Sequence, residues 1–133
     1  MGILIDSETL LAWAETPSRL DAWVGLRRDE ECYLSIITAD ELLRAVTETG
    51  ERTVKNQRLA FVEAALEQLP VLPIDSKTVR IHAQIRQAEA KTGKMRDPDG
   101  WLAATCIAHG LLLVTLRPEV FRRVPGLMLE KPG

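Results

Sequence analysis

Short, mostly apolar runs alternate along this chain with longer segments of helical periodicity, and that alternation leaves few possible folds. The runs are residues 3–5, 33–37, 71–74 and 111–114, with a possible edge strand at 127–129. Runs without polar alternation are typical of strands buried on both faces. Strands joined through helices pair in parallel with right-handed crossovers, and most crossovers here have room for two helices. The pattern predicts an α/β protein with a mainly parallel sheet of four to five strands.

Capping and proline signals predict where the helices begin and end. Thr38 is the expected N-cap of the helix after the second strand, and Asp97, which precedes a proline, opens a helix that Gly110 ends. The apolar periodicity of the two long helices between the second and fourth strands places Leu59 and Val79 on their buried faces.

Composition and charge limit the class of protein. The 133 residues, 46% of them hydrophobic, are enough for one globular domain, which we expect to span residues 1–133. A net charge of −2 and a pI near 5.7 give no overall field that would attract nucleic acid. Any RNA binding must therefore depend on local basic patches.

Cysteine use and the absence of long apolar segments predict a cytoplasmic protein. Cys32 and Cys106 have no CxxC partner and are expected to be buried free thiols in a reducing compartment. Asp6 interrupts the apolar start before a secretory signal could form. Residues 100–116 carry no charge, but a histidine and a glycine split them, and they fall short of the ~20 residues of a membrane span.

Four carboxylates lie where predicted strands end or helices begin. Asp6 follows the first strand, Glu41 lies in the helix after the second, and Asp97 and Asp99 open the helix before the fourth. The carboxyl ends of parallel strands share one edge of a sheet, where open α/β folds bind ligands. Carboxylates gathered there supply the oxygen ligands that Mg²⁺ or Mn²⁺ requires. Crowded carboxylates also repel one another, so at least one should have a raised pKa.

Each acid also has a structural interpretation that the spacing leaves open. Asp6 suits the N-cap of the following helix, Thr38-x-x-Glu41 matches a capping box, and Asp97 is a natural N-cap. Asp99 falls in the first helical turn, where a carboxylate stabilises the helix dipole.

Longer motifs add to the spacing argument. Thr38-Ala-Asp-Glu-Leu-Leu after a strand, Asp99-Gly-Trp-Leu-Ala-Ala-Thr, and the set Thr115, Phe121 and residues 124–127 occur in this order. Together they resemble the motifs of the PIN-domain nucleases, in particular the VapC-type toxins of prokaryotic toxin–antitoxin pairs. The resemblance spans the whole chain and is strongest at its two ends. It implies a PIN-like three-layer α/β/α sandwich.

The resemblance also implies an activity and partners. It implies a Mg²⁺- or Mn²⁺-dependent ribonuclease that hydrolyses RNA phosphodiesters with a metal-activated water. Asp6, Glu41 and Asp99 would hold one ion, and Thr115 would orient metal-bound water or phosphate. The expected partners are an RNA substrate, a small antitoxin whose tail occupies the site, and a second copy of the chain.

The last acidic motif departs from the family pattern. Where relatives carry Asn or Asp, this chain has Arg117, and Glu119 is the nearest replacement acid. A second ion would need Glu119, or Asp97 in an outer shell. A guanidinium at position 117 would weaken metal binding or, together with Lys94 and Arg96, contact the RNA phosphate.

This departure leaves a second interpretation open. The chain could be a degenerate PIN domain that binds RNA or a protein partner without cleavage. Because the acids of the other three motifs are present, the sequence favours the enzyme.

Overall fold

A parallel sheet of five short strands forms the centre of the protein in a computed structural model, which describes residues 2–27 and 29–132. The strands are β1 (Ile3–Ile5), β2 (Cys32–Ser35), β3 (Val71–Leu72), β4 (Leu112–Val114) and β5 (Met128–Glu130). Their order across the sheet is β3-β2-β1-β4-β5, and every neighbouring pair is parallel. The predicted parallel sheet is confirmed, and its possible fifth strand pairs at an edge.

Strand β1 occupies the middle of the sheet and is fully buried, as its run of three aliphatic residues predicts. It pairs with β4 in the register Ile3 to Leu112, Leu4 to Leu113 and Ile5 to Val114. The carboxyl ends of β1 and β4 are therefore neighbours, and the backbone N–H of Asp6 donates to the carbonyl of Val114 (3.2 Å). This pairing brings Asp6 and Thr115, which are far apart in sequence, to the same edge of the sheet.

Seven helices are assigned among the described residues, and they cover both faces of the sheet. They are α1 (Ser7–Trp13), α2 (Ser18–Gly25), α3 (Ile36–Thr47), α4 (Arg52–Gln68), α5 (Ser76–Glu89), α6 (Asp97–His109) and α7 (Pro118–Phe121). Ile3 and Ile5 pack in a core with α1 to α4, whereas Leu4 packs on the opposite face with α5 to α7. This is the expected three-layer α/β/α arrangement. None of these helices is long and apolar enough to cross a membrane.

The boundary between β2 and α3 corrects one prediction. The strand ends at Ser35, two residues earlier than expected, and Ser35 rather than Thr38 is the N-cap. The Ser35 hydroxyl accepts a hydrogen bond from the backbone N–H of Thr38 (2.9 Å). Serine is at least as good a cap as threonine, and the earlier start lets Thr38 be buried in the first turn. Thr38-x-x-Glu41 is therefore not a capping box.

Two helix faces and one helix start also differ from prediction. Leu59 and Val79 are 41% and 46% exposed, so their placement in the core was wrong. In α4 the buried stripe contains Phe61 instead, because the helix is rotated to bring that larger ring against the sheet.

Asp97 is the first residue of α6, and the N-cap is Arg96, which makes no side-chain capping bond. Cys32 and Cys106 are buried free thiols, as predicted.

Candidate active site

Asp6 combines a capping role with a position at the centre of the candidate site. Its Oδ1 accepts a hydrogen bond from the backbone N–H of Thr9 (2.9 Å), which makes it the N-cap of α1. Its Oδ2 accepts from the Thr115 hydroxyl (2.6 Å), which arrives from the end of β4. Both side chains are almost completely buried. Asp6 can therefore be both the N-cap of α1 and a residue of the predicted site, because each role uses a different carboxylate oxygen.

Glu41 faces the same rim from the second turn of α3. Its Oε1 accepts a hydrogen bond from the Ser7 hydroxyl (3.3 Å), so the residue next to Asp6 contacts a second predicted acid. Partial burial is the largest cause of the raised pKa of Glu41, and the charge of Asp99 raises it further. Ser7, Arg96 and then Arg44 act in the opposite direction. The expected raised pKa is present, although burial contributes more than repulsion between carboxylates.

Asp99 lies in the first turn of α6 and is 3% exposed. Its Oδ1 accepts from Nη2 of Arg117 (3.1 Å), and its Oδ2 accepts from Nε of Arg96 (3.3 Å). A buried carboxylate needs such partners because its charge is costly in a low-dielectric interior. Asp99 is therefore held by two guanidinium groups, one of which belongs to the residue that departs from the family pattern.

Arg117 connects Asp99 to a fourth acid that the sequence analysis missed. Its Nε donates to Oε2 of Glu8 (2.8 Å), and Nη2 of Arg96 lies 3.9 Å from Oε1 of the same carboxylate. Burial alone would lower the pKa of Arg117, but Asp99 and Glu8 outweigh it and raise that pKa, so the guanidinium stays charged. Ser7 and Glu8 immediately follow Asp6, and their place in the first turn of α1 was the available signal.

Three other predicted residues, Asp97, Glu119 and Lys94, have other neighbours. The Asp97 carboxylate, 63% exposed, accepts from the indole N–H of Trp101 (3.2 Å) and lies 3.3 Å from Nε2 of His82, without the alignment of a hydrogen bond. Glu119 and Lys94 line a cavity of about 300 Å³ beside α7. The structure thus connects Asp6, Glu41, Asp99 and Thr115 with Arg96 and Arg117. Among the described residues, it shows no side-chain hydrogen bond or ion pair from Asp97, Glu119 or Lys94 to this group.

The oxygen-rich group suits a divalent cation in chemistry and charge. Four carboxylates (Asp6, Glu8, Glu41, Asp99) and two guanidinium groups carry a net charge of −2 when all are ionised. Mg²⁺ and Mn²⁺ prefer such oxygen ligands. Within residues 2–27 and 29–132, however, no three His, Cys, Asp or Glu side chains are arranged to hold an ion. The chemistry of the donor atoms fits the metal, but ligation through Oδ2 of Asp99 requires its contact with Nε of Arg96 to loosen.

The raised pKa of Glu41 predicts a pH-dependent difference in stability between the wild type and Glu41→Gln. An acid with a raised folded-state pKa contributes stability below its unfolded value of about 4.5, and this contribution is lost as the pH rises through the folded pKa. The wild type should therefore lose stability relative to the variant as the pH is raised from 4 to about 7. Urea unfolding at a series of pH values measures this difference. A constant difference would contradict the assignment of Glu41 to a desolvated site.

Comparisons with known proteins agree with the motifs. A family model described as PIN domain matches residues 3–127. The VapC ribonuclease Y4jK of Sinorhizobium fredii is 35% identical over 98% of this chain and 96% of its own length. The tRNA(fMet)-specific endonuclease VapC of Salmonella typhimurium is 28% identical over 98% of this chain and 97% of its own length.

Solved structures extend the comparison to the fold. The chain superimposes on a VapBC2 structure from Rickettsia felis, bound to a DNA fragment from their promoter, with a TM-score of 0.86 and 21% identity. A DNA-bound VapBC from Salmonella typhimurium gives a TM-score of 0.84 at 25% identity. Each match covers 98% of both chains. The parallel sheet and its surrounding helices are thus those of known proteins.

Proposed function

This chain belongs to the PIN-domain family, and from that premise we propose that it is a metal-dependent endoribonuclease, the VapC-like toxin of a toxin–antitoxin pair. The buried Asp6–Thr115 pair, with Glu41 and Asp99 on the same rim, is the observation that carries the proposal. It is supported by relatives named as ribonucleases that align with almost the whole chain. We further propose that residues 1–133 form one domain that acts in the cytoplasm.

The proposed mechanism assigns roles to the side chains at this rim. Asp6, Glu41 and Asp99 would hold Mg²⁺ or Mn²⁺. When bound, the ion supplies a water of lowered pKa and neutralises charge that develops on the phosphate. The Thr115 hydroxyl fixes Oδ2 of Asp6, and through it the direction in which that carboxylate faces. Because α1 is capped by the other oxygen of Asp6, the carboxylate is held rigidly by two elements.

Two arginines at the rim would position the substrate. Arg96 is 56% exposed and contacts Asp99 only at 3.3 Å or more, so it can turn toward a phosphate. Arg117 is less exposed (27%) and carries further N–H groups beyond those bound to Glu8 and Asp99. Guanidinium groups bind phosphate oxygens well, and phosphate contacts fix position rather than sequence. Lys94, in the neighbouring cavity, would extend this contact along the RNA.

We propose an antitoxin and a second copy of the chain as protein partners. The structural relatives include several VapBC complexes, which support a small antitoxin partner. An antitoxin tail that enters the acidic rim would need to displace or pair with Arg96 and Arg117. Light scattering on the purified chain tests for the dimer, and a monomer at micromolar concentration would count against it.

A cleavage assay with purified chain and end-labelled RNA tests the function. We expect cleavage with Mg²⁺ or Mn²⁺, none with EDTA, and recovery when Mn²⁺ is added in excess. Asp6→Asn, purified identically, controls for contaminating nucleases. Where a gene for a small protein adjoins the gene for this chain, addition of that protein should suppress cleavage.

The same assay decides between the enzyme and its alternative. The pairing of Arg117 with Asp99 is the observation that favours a degenerate domain, because it engages an oxygen that the ion would need. RNA binding without cleavage, at every metal concentration, would favour that alternative and contradict the proposed ribonuclease.

A further inference from the structure

Arg117 is held between two acids at its tip and anchored at its backbone. Its Nε donates to Glu8 (2.8 Å) and its Nη2 to Asp99 (3.1 Å), while its backbone N–H donates to the Thr115 hydroxyl (3.1 Å). The side chain is only 27% exposed. An arginine with polar contacts at both ends is ordered, unlike a surface arginine that samples many rotamers. Its positive charge is therefore a fixed part of the acidic group.

The charge of this group balances one divalent ion but not two. Glu8, Glu41, Asp6 and Asp99 contribute four negative charges, and Arg117 and Arg96 contribute two positive charges. One divalent ion would neutralise the group, whereas two would leave an excess of two positive charges. Even with the exposed Arg96 turned away, two ions and Arg117 would leave one positive charge in excess. Excess charge of one sign is costly in a partly buried site.

The positions of the acids also favour one divalent ion over two. Two-metal sites hold their ions about 3.5–4 Å apart, and a carboxylate commonly lies between them. Here the guanidinium of Arg117 lies between Glu8 and Asp99, where it contacts one oxygen of each. A second ion in that space would meet a fixed cation within a few ångströms.

On the basis of the proposed function, we infer that Arg117 is a built-in cation which, anchored by Glu8, limits the acidic site to one divalent ion. Glu8 acts as the positioning residue because it binds Nε and leaves Nη2 directed at Asp99. The one ion would be held by Asp6, Glu41 and Asp99, with Oδ2 of Asp99 available once Arg96 turns away. In the motif that this segment resembles, the position is occupied by Asn or Asp, so the role belongs to a departure from that motif.

Counting bound Mn²⁺ tests this inference without any measurement of activity. Calorimetry and the decrease in the EPR signal of free Mn²⁺ should both give one ion per wild-type chain. Arg117→Asn should bind two ions, or bind the first at least tenfold more tightly. Arg117→Lys retains the charge and should still bind one ion. Arg122→Asn removes an exposed charge from the same segment and should leave both number and affinity unchanged.

Several results would overturn the inference. Two ions, or none, on the wild-type chain would contradict it, as would an Arg117→Asn variant with wild-type stoichiometry and affinity. Arg117→Lys behaving like Arg117→Asn would show that fixed charge is not the cause. Circular dichroism must first show that each variant is folded, and Arg117→Gln, which removes the charge but keeps a longer side chain, serves if Arg117→Asn is not folded. That variant should give the result expected of Arg117→Asn. One bound ion without RNA cleavage would contradict only the proposed function.

Discussion

Replacement of Asp99 by Asn is expected to reduce RNA cleavage at least about 100-fold, the loss typical of removing one preorganised electrostatic group from an active site. The amide keeps the shape of the side chain but loses the charge that a divalent ion requires. The acidic rim would then keep Asp6 and Glu41 as proposed ligands. Single-turnover cleavage at saturating Mn²⁺ measures the loss. Asp40→Asn, the same change at an exposed residue of α3, should cleave like the wild type.

The same variant should also be less stable, in contrast to what repulsion between clustered acids alone would predict. Asp99 is almost completely buried and accepts bonds from Arg117 and Arg96, so removing its charge takes a buried counter-charge away from two guanidinium groups. We expect a loss of about 1–2 kcal/mol, less than for a fully buried pair, because Arg117 keeps Glu8 and Arg96 is exposed. A variant that cleaves at the wild-type rate, or that does not fold at all, would refute the catalytic assignment.

Phe121→Ala is expected to cost about 3–5 kcal/mol of unfolding free energy. Phe121 is fully buried in α7 and packs with Leu4 and Leu113, which lie in the two central strands. Removing the ring leaves a cavity beneath the segment that begins at Arg117. Urea denaturation monitored by circular dichroism measures the loss. Leu116→Ala, at an exposed position just before that segment, should cost less than about 1 kcal/mol. A similar cost for both variants would contradict the core position of Phe121.

The sequence was sufficient to predict the sheet because burial patterns are long and redundant. Three consecutive aliphatic residues at positions 3–5 are typical of a strand buried on both faces, and they form the central one. Boundaries were less predictable, because neighbouring residues can exchange roles at small cost. Ser35 and Thr38 are both good caps, and the choice between them depends on which start buries Thr38. Leu59 was misplaced because a small rotation of α4 moves it to solvent.

The sequence was sufficient to predict where in the fold the site lies, but not which side chains contact each other there. Strand order brings Asp6 and Thr115 together, and the motifs identified Glu41 and Asp99. Pattern alone cannot specify the rotamers that turn Arg117 inward. Ser7 and Glu8 were missed because polar side chains in the first turn of a helix usually face solvent. Their importance depends on partners far away in the sequence.

The pairing of β1 with β4 also determines when the site can form. The hydroxyl of Thr115 and the carboxylate of Asp6 are 109 positions apart in sequence, so their contact is among the most non-local in the chain. Non-local pairs form late, because the entropy of closing a long loop is lost before the contact can stabilise the chain. Parallel sheets assemble slowly for this reason. A nascent chain in which β4 has not yet been synthesised contains Asp6 but lacks Thr115, the residue that orients its carboxylate. The chain that we propose to cut RNA is thus expected to be harmless to the message it is translated from until β4 has been synthesised and has paired with β1.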